Sequence, residues 1–208
     1  MPTTFAFKVY HSANSTRENN PFFSAASGGA NAAWVGLTST PYETVTNDPR
    51  IPRPATTERT QQGLTFVPNA PLAYSTYNGT LAGADFSRDA SVTFASGLEA
   101  QYIIAEAQGV NATNLTFLNA RRAIGGDVPL VSPTDAAFKA ALREQRARDL
   151  YLAAYRLGDL RRYKKLYNVD LWQHGPYTSP VPAPPTFGDA ECWPIPLAEL
   201  NGNPFLKP

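Results

Sequence analysis

Residues 141–166 read ALREQRARDLYLAAYRLGDLRRYKKL, a proline-rich run follows, and the segment closes on Cys192-Trp193-Pro194-Ile195-Pro196. Leucine and tyrosine recur in the first part at helical spacing, with acidic and basic residues between them. The spacing predicts a long third helix, capped by Thr134 or Asp135, passing through Phe138, Leu142, Gln145, Asp149 and Leu152 to about Leu157. A short fourth helix is expected to start at Gly158-Asp159 and run through Arg161 and Tyr163. Seven prolines between Pro176 and Pro196 leave a stiff backbone with few amide donors, which suits an extended strap laid across helices.

Upstream, Leu98, Tyr102 and Ala105 share one face of a helix over 97–107 that Gly109 stops. A second helix is expected from an N-cap at Thr113 through Leu115, Leu118 and Ile124 to Gly125-Gly126. Residues 1–96 show no long helical period. Residues 5–10, 56–59 and 64–67 are short extended candidates, 24–33 is a short helix or loop, and 47–52 is turn chemistry set by Pro49 and Pro52. The expected fold class is mainly α, with long ordered loops and a few short strands. One domain is expected over 1–208, divided into a loop-rich region 1–96, a helical core 97–167 and a strap 168–208.

The composition narrows the function classes. The chain has 208 residues, 43% hydrophobic and 17% charged, so it can bury a sizeable core. A net charge of +1 gives no global field for nucleic acid or an anionic membrane. One cysteine excludes an intramolecular disulfide and a cysteine-rich zinc site, and two histidines far apart argue against a histidine metal centre. No cofactor is expected. No run approaches a membrane span, and no secretory signal is visible at the start of the chain.

Four constellations compete with plainer readings. Arg143, Arg146, Arg148, Arg156, Arg161, Arg162, Lys164 and Lys165 resemble a nucleic-acid face, but Glu144, Asp149 and Asp159 lie among them. The expectation is therefore helix-surface ion pairs, Arg146 with Asp149 and Arg156 with Asp159, and no nucleic-acid partner. Glu99 and Glu106 stand about 10 Å apart along one helix, too far for a retaining glycosidase pair, and Glu106 is expected to meet an arginine of the long helix. Cys192 has no nearby histidine and is read as an inert thiol. Four Asn-X-Ser/Thr sites, at Asn14, Asn78, Asn111 and Asn114, are expected to be unmodified. The remaining functional signal is aromatic: Trp34, Tyr42, Tyr74, Tyr77, Trp172 and Tyr177 lie in loop contexts rich in Asn, Thr and Ser, where flat rings can meet the C–H face of a sugar.

The C-terminal half resembles the SusD/RagB-type outer-membrane nutrient-binding lipoproteins. The resemblance rests on an order of motifs over 97–208. Glu99-Ala100 with Ile104-Ala105-Glu106-Ala107 comes first, then Leu118-Asn119-Ala120-Arg121-Arg122. Glu144, Arg146, Arg148, Asp149-Leu150, Arg156 and Asp159-Leu160-Arg161-Arg162 follow. Trp193-Pro194-Ile195-Pro196, Glu199 and Asn203-Pro204 close it. Asn47-Asp48-Pro49-Arg50 is a weaker echo. Two departures stand out. Ala153-Ala154-Tyr155 replaces an expected Glu-Gly, and family members are commonly more than twice this length, so the chain is expected to be a C-terminal portion or a shortened relative, without the family's signal and lipid anchor.

The resemblance implies a tetratricopeptide-related helical fold and a non-catalytic protein on the extracellular face of the outer membrane. It also implies a glycan or other nutrient ligand and a TonB-dependent transporter as partner. The motif residues Glu106, Arg121, Glu144, Arg146, Asp149, Arg156, Asp159, Arg161, Trp193, Pro194 and Pro196 are implied scaffold. The alternative is a structural, self-assembling protein built from a shortened domain of this type, as a homo-oligomer.

Overall fold

The computed structural model describes residues 4–15, 17–18, 40–51, 59–61, 64–66, 80–81, 84–85, 89–151, 153–176, 186–189 and 191. Among these the protein is mainly helical. The strands are β1 (Ala6–Val9), β2 (Arg59–Gln61), β3 (Leu64–Phe66), β4 (Thr80–Leu81), β5 (Ala84–Asp85) and β6 (Val92–Ser96). The helices are α1 (Gly97–Gln108), α2 (Ala112–Ile124), α3 (Asp135–Asp149) and α4 (Arg156–Tyr167). The strands pair antiparallel in twos, β1 with β6, β2 with β3 and β4 with β5.

β6 and the β4–β5 pair are additions to the sequence reading. In β1–β6 the register runs from Ala6 opposite Ser96 to Val9 opposite Val92, with an irregularity between Phe7 and Lys8. β6 runs directly into α1: Ser96 keeps extended backbone while its side chain accepts from the Glu99 amide at 3.1 Å. That serine cap fixes where strand becomes helix.

α1, α2 and α3 share one core of Tyr102, Ala105, Leu118, Phe138, Ala141 and Leu142, with Leu98, Leu115, Phe117 and Leu130 packed against it. The apolar face read from Leu98, Tyr102 and Ala105 is the face that is buried. Tyr102 meets Phe117 edge-on, with ring centroids 5.1 Å apart. Burying each large apolar side chain contributes about 1.5–3 kcal/mol, so this cluster carries much of the three-helix contact.

Three helix boundaries differ from expectation. Asn111 caps α2 in place of Thr113, because its Oδ1 accepts from the Asn114 amide at 2.9 Å. The start of α3 agrees: Thr134, one of its two expected caps, accepts from the Ala137 amide at 3.2 Å. α3 ends at Asp149 and not near Leu157. The chain then turns through 150–155, with Ala154 at φ +65°, and α4 begins at Arg156, ahead of Gly158. At the far end Asn168 takes the left-handed conformation (φ 53°), its amide donates to the Tyr163 carbonyl, and the chain leaves as an irregular segment.

Of the strap, residues 168–176, 186–189 and 191 are described: Pro176 and Thr186 form an isolated antiparallel bridge, and the Phe187 amide donates to the Gly175 carbonyl at 2.8 Å. Residues 24–33, Trp34, Thr56, Tyr74, Tyr77, Tyr177, Cys192, Trp193, Pro194, Pro196 and Asn203-Pro204 lie outside the described residues.

Candidate functional site

The motif charges sit in two networks, which pair Glu144 with Arg148 and Asp159 with Arg162 along one helix but contain neither the Arg146–Asp149 nor the Arg156–Asp159 pair expected. The first centres on Asp149, whose side chain is 0% exposed. Arg50 Nη1 donates to its Oδ1 at 2.8 Å, Arg121 donates through Nη2 and Nε to Oδ1 and Oδ2 at 2.7 Å each, and the Tyr102 hydroxyl donates to Oδ2. Burial, then the charge and hydrogen bond of Asp149, push the Tyr102 phenol far above its ordinary value, so it remains a donor.

Arg50 also donates to Asp48 and to the side-chain Oε1 of Gln145, and Arg148 joins Asp48, Asp127 and Glu144. Asp48-Pro49-Arg50 is therefore a docking turn that ties residues 40–51 to the end of α3. Gly125 lies against this cluster so closely that a Cβ there would stand 2.6 Å from Asp48 Oδ2.

The second network crosses between helices. Arg146 pairs with Asp159 at 2.8 Å and with Glu99 at 3.4 Å, and Arg162 pairs with Glu106 at 2.5 Å and with Asp159 at 3.1 Å. The expected Arg146–Asp149 and Arg156–Asp159 pairs are absent because Asp149 is filled by Arg50, Arg121 and Tyr102, and Asp159 by Arg146 and Arg162. Glu106 meets Arg162 of α4 and not an arginine of the long helix, which ends at Asp149 before that arginine is reached. Arg161 is exposed and makes no hydrogen bond or ion pair among the described residues.

Two clefts adjoin this scaffold. One, of about 330 Å³, lies between the 41–45 turn, α3, the start of α4 and residues 169–171; Arg143, Glu144, Arg148 and Arg156 line it with Tyr42, Val45 and Ala140. Its neighbour, of about 490 Å³, brings Tyr42, Arg156, Leu160, Leu171, Trp172 and Phe187 together. Pro41, Tyr42, Arg156 and Leu171 belong to both.

Of the six aromatic candidates, Tyr42 and Trp172 thus converge, and the other four lie outside the described residues. Tyr42 is also a fastener. Its hydroxyl donates to the Ala147 carbonyl at 3.0 Å and its ring packs edge-on to Tyr151 at 5.0 Å. Burial raises the Tyr42 phenol, the positive charges of Arg156 and Arg148 pull it partway back, and Asp159 adds to the rise. The Trp172 amide donates to Asp170 Oδ1 at 2.9 Å, which fixes the turn presenting the indole, while the indole Nε1 is buried with no acceptor among the described residues.

Sequence reading missed the cleft roles of Arg143, Arg156 and Leu171. Arg143 stacks over Tyr163 and Tyr167 at 5.2 and 5.4 Å, and neither Arg143 nor Arg156 has a carboxylate partner among the described residues. Both were visible in the basic run, but only tertiary pairing shows which arginines are left over. Asn114 is buried, with its amide nitrogen donating to the Gly109 carbonyl, which leaves that glycosylation site inaccessible. Among the described residues no group of three or more His, Cys, Asp or Glu could hold a metal ion, and no helix is long and apolar enough to cross a membrane. No protein-family model, curated protein or solved structure matches the chain.

Proposed function

We propose that the protein is a non-catalytic binding protein of the SusD/RagB type, holding a glycan or other nutrient at the outer-membrane surface for a TonB-dependent transporter. The observation that carries this reading is the convergence of Tyr42 and Trp172 on one cleft, beside a scaffold in which most of the motif charges are consumed by one another. An aromatic-lined cleft of this size suits a sugar ring, which offers an apolar face and a polar rim. The cationic groups lining the two clefts are arginines, which orient a ligand, and Thr40, Thr44 and Gln173 add neutral polar groups beside them. Calorimetric titration with a panel of neutral and acidic oligosaccharides tests the reading. Saturable binding is expected, and absence of binding across the panel removes it.

Self-assembly is favoured by a separate observation. Phe5, Phe7, Val9, Tyr10 and Phe94 are all exposed on and beside β1–β6, with Phe7 58% and Tyr10 81% accessible. An apolar group of that kind at a two-stranded edge is a surface that another copy can cover. Light scattering after size exclusion decides it: a multiple of 22.6 kDa supports assembly and a single 22.6 kDa species opposes it.

A further inference from the structure

Every arginine that the fold uses in its two buried networks has a carboxylate: Arg50, Arg121, Arg146, Arg148 and Arg162 each contact at least one. Among the described residues Arg143 and Arg156 do not, and both line the 330 Å³ cleft. Among the described lining residues the one carboxylate, Glu144, is bonded to Arg148. Arg156 also lines the adjoining cleft, where no acidic side chain is present among the lining residues. Half-buried guanidiniums left without an anion, in a recess walled by Tyr42, Val45 and Ala140, keep their attraction for one because nearby apolar walls weaken solvent screening. A planar carboxylate matches the guanidinium fork.

We propose that the cleft takes a carboxylate-bearing saccharide, a hexuronate residue whose carboxylate meets Arg156 and Arg143 while its ring lies against Tyr42 and extends toward Trp172. This rests on the reading of the cleft as a glycan site and sharpens it to acidic glycans.

The test is calorimetric titration of the whole chain with oligomers of galacturonate, glucuronate and mannuronate, their methyl esters, and neutral oligosaccharides of equal length. At least one acid form is expected to bind about ten-fold more tightly than its ester. Added salt narrows that gap, R156Q abolishes it, and R156K retains part of it. Arg156 has no partner to lose, so R156Q is expected to melt with the wild type. R143Q removes stacking on Tyr163 and Tyr167, so its binding is compared only after its melting is measured. Equal binding of acid and ester, or an acid preference that survives R156Q in a folded protein, overturns the acidic assignment. If neutral oligosaccharides then bind in a Trp172-dependent way, the broader glycan reading stands without it. If no saccharide of any kind binds, both fall together.

Discussion

A carboxylate without solvent contact needs its lone pairs filled, and Asp149 meets that need with two bonds from Arg121, one from Arg50 and one from Tyr102. Desolvating each ion costs several kcal/mol, and only complete pairing offsets it. Asp149→Ala leaves Arg121 without its carboxylate and takes one of the two that Arg50 holds, and is expected to cost about 3–5 kcal/mol in chemical denaturation. Arg161→Ala, on the same run of sequence but exposed and unbonded, is expected to stay within about 0.5 kcal/mol of wild type. Equal losses for the two contradict the division into network and surface arginines. Gly125→Ala belongs at this scale too: with 2.6 Å between its new Cβ and Asp48 Oδ2, the cluster has to shift. The substitution is expected to cost about 1–3 kcal/mol despite its effect on helix propensity.

At the scale of elements, the caps decide where helices start. Thr134 Oγ1 bonds the Ala137 amide, so Thr134→Ala is expected to lower stability by about 1 kcal/mol, while Thr113→Ala, inside α2 and not at its cap, is expected to have a smaller effect. Thermal melts of the two variants check the assignment. The helices were legible because Leu98, Tyr102, Ala105, Leu118, Phe138 and Leu142 repeat at the helical period and glycines mark the ends. The end of α3 was not, since Leu150, Leu152 and Leu157 continue that period past Asp149. There the Asp149 anchor and the turn at Ala154 override local propensity. β6 hides for another reason: Val92–Ser96 is only five residues long and depends on β1, more than eighty residues away. Ion-pair partners were illegible in the same way, because helical spacing names neighbours on one helix and cannot name Arg50 or Glu99 across the fold. Of the cleft, Tyr42 and Trp172 could be read as loop aromatics, but their convergence required the 40–51 turn to dock on α3.

For the whole molecule, the networks join residues 48–50, α1, α2 and α3 at one end, and α1, α3 and α4 at the other, so their protonation governs global stability. Burial pushes the Asp48 carboxyl up, but hydrogen bonds from the Arg50 side chain and amide, the Arg50 charge and the Arg148 bond outweigh it and hold the group below the ordinary carboxylate range. A depressed folded value gives stability that is present above the unfolded value of about 4 and is lost as pH falls through the folded one. Urea midpoints are therefore expected to fall on acidification below about pH 4, and the fall is expected to be shallower in Asp48→Asn. On the alkaline side, burial and then the charges of Asp159 and Glu106 raise Tyr163 to about 12, against the opposing pull of Arg162 and Arg146. A raised tyrosine stabilises the fold up to its unfolded value of about 10, and that contribution declines as pH rises from there toward 12. A flat urea midpoint across that alkaline interval contradicts the buried placement of Tyr163. In the proposed function the buried charges hold the fold while the cleft of Tyr42 and Trp172 does the binding. Oligosaccharide titration of wild type, Trp172→Ala and Arg161→Ala tests it most directly. Saturable binding that Trp172→Ala abolishes in a folded protein and Arg161→Ala preserves is the predicted result; no saccharide binding, or binding unchanged in Trp172→Ala, contradicts it.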